Sequence, residues 1–181
     1  MHRRASSFRR GGRAAGRRAR EQRLVAAAGA PRAGTGGKMI GILIVTHGRL
    51  AEELLAAGRV IAGDLPNFRA LALEWTDDLE TAGGRIAAAI ADLDDGDGVL
   101  VLTDMFGDTP SNATLALRDK YRIEVISGVN LPMVVRLGCS RTATQSLAET
   151  ARWLEVKGRR SICRVTGERV APADEERTGD D

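Results

Sequence analysis

Apolar and polar positions change rhythm repeatedly from Met39 onward. Residues 40–46, IGILIVT, form an unbroken, largely β-branched apolar run, as a strand buried on both faces requires. Beyond His47 and Gly48 the period lengthens, and Leu50, Leu54, Leu55 and Ile61 fall on one face of a helix. Gly63 and Pro66 break that helix, and residues 69–73 read as a second strand. Asp77 is placed to cap a helix running to about Leu93, with Leu79, Ile86, Ile90 and Leu93 on its buried side. The Asp94–Gly98 cluster stops it, and residues 99–103, VLVLT, are a third buried strand. Thr109 and Pro110 open another helix, with Thr at the cap and Pro at the first helical position. Residues 122–126 give a fourth strand, closed by the turn Ser127-Gly128. Helices around 131–138 and 142–157 follow, then a final strand at 161–165, SICRV.

Strands alternating with helices through short loops predict an α/β fold: a doubly wound, mostly parallel sheet with helices on both faces. Ligands of such sheets bind beyond the carboxyl ends of the strands. That rule selects three short segments: Thr46 to Gly48, Asp104 to Thr109, and Ser127 to Asn130.

Composition alters this picture at the amino terminus. The chain of 181 residues is 43% hydrophobic but only 3% aromatic, so its core is assembled from aliphatic side chains, in one domain with tails. The net charge of +3 hides an asymmetry. Residues 1–38 hold ten arginines and one lysine against the single acid Glu21, a balance of +10, and the remainder stands at −7. The Arg-, Ala- and Gly-rich segment 1–38 lacks apolar periodicity and is expected to be disordered. It suits non-specific contact with nucleic acid or anionic lipid, an Arg-rich targeting peptide, or a stretch upstream of a true start at Met39. The last is preferred, because a strand begins abruptly there. The domain then covers 39–166, and 167–181 is an acidic tail. Cys139 and Cys163 belong to no CxxC or Cys/His cluster, and are expected to be buried small hydrophobes in a reducing compartment. No apolar run reaches the length that spans a bilayer.

Histidine is scarce: His2 lies in the basic tail and His47 at the tip of the first strand. Gly48 beside it lets a partner approach closely. Asp104 ends the third strand at the same edge of the sheet. A carboxylate bonded to one imidazole N–H fixes the tautomer, aims the ring, and stabilises the cation formed on attack. No Ser or Cys stands placed as nucleophile, so the histidine itself takes that role. Phe106-Gly107-Asp108-Thr109-Pro110 leads into a helix whose N-terminal amides suit an anion, and Thr109 adds a hydroxyl. Neither GxxxxGK[ST] nor GxGxxG occurs, which argues against ordinary nucleotide binding. One histidine in the domain is too few for a typical metal site. Asp104 and Asp108 could supply a two-carboxylate hydrolase, although residues so close in one loop are a poor guide to an opposed pair.

MIGILIVTHGRLAEELL, VLVLTDMFGDTPSNATL and VISGVNLPMV resemble, in order and spacing, the signature segments of the mannose-family IIA domain of the sugar phosphotransferase system. The resemblance spans about residues 39–165. It implies a cytosolic homodimer in which the last strand, antiparallel in one arrangement, is exchanged between subunits. His47 matches the phosphorylated histidine, Asp104 the carboxylate that orients it, and Thr109 a hydroxyl residue beside the phosphoryl group, with Gly48, Gly107 and Asp108 lining that place. The phosphoryl group would arrive from phospho-HPr and leave to a IIB component, without metal or cofactor. Membrane association would come only through IIC and IID permease partners. The family usually has Gly-Gly where this chain has Gly107-Asp108. If that position needs a positive φ, Asp tolerates it better than most residues, but its carboxylate would repel a phosphoryl group. Two other roles for the same domain are a regulatory carrier without sugar uptake and the phosphotransfer subunit of a dihydroxyacetone kinase. A basic-tailed nucleic-acid-binding protein is the reading from a different class; it gives no reason for His47 and Asp104 to share a sheet edge, and nucleic acid is not an expected partner.

Overall fold

A computed structural model of the chain describes residues 39–140 and 145–165. The basic segment 1–38, the acidic tail 167–181 and the start of the helix expected at 142 lie outside the described residues. Four strands, β1 (Gly41–His47), β2 (Phe68–Leu73), β3 (Val99–Thr103) and β4 (Ile123–Ser127), form one sheet in the order β2-β1-β3-β4. Every neighbouring pair is parallel. Five helices follow among the described residues: α1 (Leu50–Ala62), α2 (Leu79–Leu93), α3 (Thr109–Leu115), α4 (Leu131–Cys139) and α5 (Leu147–Arg159).

Alternate side chains of the central strands point to opposite faces, and each face has its own core. Ile42, Ile44, Leu100 and Leu102 meet Leu55 of α1, Val134 and Leu137 of α4, and Leu154 of α5. Leu43, Val45, Val99 and Val101 meet Ala82, Ile86 and Ile90 of α2 and Ala113 of α3. Strands enclosed on both sides have no polar face, which is why 40–46 and 99–103 read as continuous apolar runs. The chain leaves β1 for β2 on one side, then crosses by α2 to β3 on the other. The carboxyl ends of β1 and β3 therefore open a crevice where the winding reverses, and such switch points hold ligands in sheets of this kind.

Several local expectations change. Asp78, not Asp77, caps α2, its side chain accepting from Thr81 N at 2.8 Å. Asp77 instead accepts from Glu74 N and pairs with Arg85. Asp108, not Thr109, caps α3, so Pro110 takes the second helical position. Leu50, Ile61 and Leu79 are exposed, and Leu54 and Leu93 are only half-buried. Leu55 is buried as expected, and Ala51 and Gly58 complete the inward face of α1, Gly58 lying where Val134 of α4 leaves no room for a Cβ. The segment 161–165 is not a strand, and its Ile162 and Val165 are exposed. Cys139 and Cys163 are both exposed as well, Cys139 because it lies on the outer side of the last turn of α4 and Cys163 because it follows the end of α5.

Candidate functional site

β1 ends with two residues that tie the next helix to the sheet. Thr46, fully buried, accepts the Ala51 amide on its hydroxyl at 2.7 Å. This supplies the cap that Arg49 at the start of α1 does not provide. Gly48 has φ of +52°, a backbone region that L side chains rarely adopt, and donates its N–H to Leu73 O at 2.9 Å. The turn between strand and helix is thereby closed, and His47 stands at its corner with its side chain 10% exposed.

Asp104 leaves β3 beside it. One oxygen, Oδ2, accepts both the His47 backbone N–H at 3.0 Å and the ring Nδ1 at 2.8 Å. The other, Oδ1, accepts the Met105 amide at 3.0 Å. A carboxylate held by two backbone amides has little freedom, and its bond to Nδ1 sets the imidazole plane and leaves Nε2 as the outward nitrogen. Nε2 faces the second carboxylate of the site: Asp108 Oδ2 lies 3.4 Å away, on a side chain 39% exposed. Its Oδ1 accepts the Thr109 amide at 2.8 Å. Asp108 adopts φ of −106°, which costs nothing for a side chain, and the positive φ of the loop belongs to Gly107 at +87°. The condition of a positive φ at Asp108 is therefore not met. The loop is braced by Ser111, whose hydroxyl accepts the Gly107 amide at 2.9 Å and donates to Asp108 O at 3.0 Å.

The structure thus brings together His47, Asp104 and Asp108, with Gly48 and Gly107 shaping the turns that hold them. Thr109 opens α3 next to Asp108, and no hydrogen bond among the described residues joins it to His47. Ser127 ends β4, on the far side of β3, Gly128 to Asn130 follow it, and Asn130 is used as the cap of α4, accepting from Met133 N.

Trp75 escapes the sequence reading. Its ring stacks on the His47 imidazole with centroids 4.7 Å apart and planes 18° apart, while the residue stays 79% exposed. The register explains the contact: His47 pairs with Leu73 across β1 and β2, so the chain beyond Leu73 passes over the histidine. Two signals pointed to it, the rarity of tryptophan in the chain and its position just past the second strand. Met105 and Phe106 are also exposed beside Asp104. Among the described residues no group of three or more His, Cys, Asp or Glu could hold a metal ion, and no helix is long and apolar enough to cross a membrane.

A family model described as "PTS system fructose IIA component" matches residues 41–154. The mannose-specific EIIAB component of the phosphotransferase system of Escherichia coli K12 is 34% identical over 138 residues, covering 74% of this chain and 43% of that protein. The chain therefore spans under half the length of that relative. The fructose-specific EIIA component of Bacillus subtilis is 29% identical over 100 residues, covering 55% of this chain and 68% of that protein. Among solved structures, the mannose/sorbose-specific IIA subunit of Enterococcus faecalis superposes with a TM-score of 0.65 at 26% identity, over 73% of this chain and 98% of that one.

Proposed function

Since the chain belongs to the mannose/fructose family of IIA components of the sugar phosphotransferase system, we propose that it is a phosphocarrier whose His47 Nε2 accepts a phosphoryl group from phospho-HPr and passes it to a histidine of a IIB component. Components of this family are phosphotransferases. The observation that carries the assignment of His47 is the 2.8 Å bond from its Nδ1 to Asp104, which leaves Nε2 turned towards the loop 107–109.

The step balances on these atoms. With Nδ1 protonated and bonded to Asp104, the lone pair of Nε2 attacks phosphorus. The P–N bond to the donor histidine breaks, and its electron pair returns to the donor ring. The positive charge that develops on the His47 ring is met by the Asp104 carboxylate, already in place. Exchange between two imidazole nitrogens is close to thermoneutral, so positioning and electrostatics suffice. Onward transfer is the same step with a IIB histidine as nucleophile. Thr109, at the opening of α3, is assigned the hydroxyl beside the phosphoryl group, and Gly48 and Gly107 keep the approach open. The carrier acts in the cytoplasm as a homodimer, and meets the membrane only through IIC and IID partners.

The test is phosphoryl transfer from phosphoenolpyruvate through enzyme I and HPr to the purified chain. A label that is acid-labile and base-stable on the wild type, and absent from His47→Ala, is expected. An unlabelled wild type, with donors active on another IIA domain, would refute the carrier.

A further inference from the structure

We propose that Asp108 is a displaceable counter-charge on His47: its carboxylate engages Nε2 and the first amide of α3 together in the unphosphorylated chain, and leaves both when Nε2 carries a phosphoryl group. The inference rests on the reading of His47 as phosphoryl acceptor and adds a built-in coupling between that chemistry and the loop 104–109.

Asp108 serves one hydrogen bond and one charge contact with a single rigid carboxylate. Oδ2 lies 3.4 Å from Nε2, and Oδ1 accepts the Thr109 amide at 2.8 Å. The two oxygens belong to one planar group, so turning one off its partner disturbs the other. The Nε2 side is also chemically selective. Nδ1–H donates to Asp104, so a neutral ring presents a bare lone pair at Nε2, to which a carboxylate has nothing to donate. Asp108 suits the ring only while Nε2 bears a proton, and that form is not nucleophilic. Before attack the Nε2 proton passes to solvent and Asp108 turns away. The Nε2 lone pair then forms the new N–P bond, while the donor P–N bond breaks towards the donor ring.

Asp108 cannot return once transfer is complete. A phosphoryl group on Nε2 brings its anionic oxygens into contact range of the place Oδ2 now holds, and like charges at that separation repel. The loop is built for such a movement. Gly107, at φ +87°, has open space around it, and the Asp108 side chain is partly in water. Phosphorylation therefore removes the cap of α3, and the carried phosphoryl group is discharged more readily than it would be without Asp108.

The full chain is compared with Asp108→Asn and Asp108→Gly. Asparagine caps helices as well as aspartate does, so it keeps the fold and the Thr109 bond while removing the charge. Two quantities are read: the fraction phosphorylated at set ratios of phospho-HPr to HPr, and the Thr109 amide resonance before and after phosphorylation. Both variants are expected to shift the equilibrium towards the phosphorylated chain by about two- to fivefold, the range a partly exposed charge pair supports. In the wild type the Thr109 amide should move on phosphorylation, and in Asp108→Gly it should start displaced and move less. A labelled wild type with equal equilibrium constants in all three chains, or with an unmoved Thr109 amide, overturns the proposal while leaving the carrier intact. Three unlabelled chains, with donors active on another IIA domain, overturn the carrier reading and this proposal with it.

Discussion

A single carboxylate oxygen sets the geometry of His47, since Asp104 Oδ2 accepts both its backbone N–H and its Nδ1. Asp104→Asn keeps an acceptor there but removes the negative charge that offsets the developing imidazolium. The rate of phosphoryl acceptance should fall by about 10²-fold or more, within the usual range for a displaced acid–base partner, in rapid-mixing transfer from phospho-HPr. The melting temperature should change little, because the site is at the rim of the fold. Trp75 acts differently, lying against the flat of the ring and leaving both nitrogens alone. Trp75→Ala should slow transfer less than about tenfold, as loss of one aromatic contact implies. In the wild type, the emission of Trp75 should change on phosphorylation. The two residues also differ in how legible they were. His47, Asp104 and Asp108 follow apolar strand runs, so the rule for sheet edges finds them from spacing alone. The Trp75 stack depends on His47 standing opposite Leu73, a register between two strands that spacing within either one does not contain.

Elements were read well where burial dictated sequence and less well where neighbouring residues could do the same work. β3 at 99–103 matches the expectation to the residue, because a strand enclosed on both faces admits only apolar side chains. The caps of α2 and α3 were each displaced by one residue, since Asp77 and Asp78, or Asp108 and Thr109, are all able to cap and only the local backbone decides. These caps carry a pH signature. The Thr81 amide holds the Asp78 carboxyl below its ordinary value, and the Ser146 side chain does the same for Glu149 in the capping box of α5. A carboxyl lowered by folding stabilises the protein above its unfolded value, and that contribution disappears as pH falls through the lowered one. Thermal melts should therefore lose stability below about pH 4, and Asp78→Asn with Glu149→Gln should flatten that slope. Glycines set the packing of α1 on α4. A Cβ on Gly138 would come within 2.5 Å of Leu65 and 2.9 Å of Ala62, and one on Gly58 within 2.7 Å of Val134. Gly138→Ala should destabilise by about 1–3 kcal/mol, the usual cost of overpacking, measured by denaturant unfolding.

At the scale of the molecule, alternation of strands and helices was enough to imply a parallel sheet wound on both faces, and the order β2-β1-β3-β4 places the two divergent strand ends at His47 and Asp104. The fate of the carboxyl-terminal segment was not legible, because SICRV has the composition of a strand but a strand needs a partner. Among the described residues β4 has one hydrogen-bonded neighbour, β3, and nothing pairs with its other edge. Beside it lies a cavity of about 450 Å³, bordered by Val125, Ile126, Met133 and Ile162. Ile162 and Val165 are 83% and 85% exposed. An unpaired edge next to apolar side chains in water invites another chain, and the homodimer proposed above satisfies both if each subunit lays residues 161–165 along the partner's β4. Sedimentation of the full chain at micromolar concentration should then give a dimer, and a chain ending at Arg160 should give a monomer that still carries the phosphoryl label, since His47, Asp104 and Asp108 lie on other elements. A full-length monomer would rule out the exchanged strand. A truncated chain that still sedimented as a dimer would place the interface elsewhere on the surface.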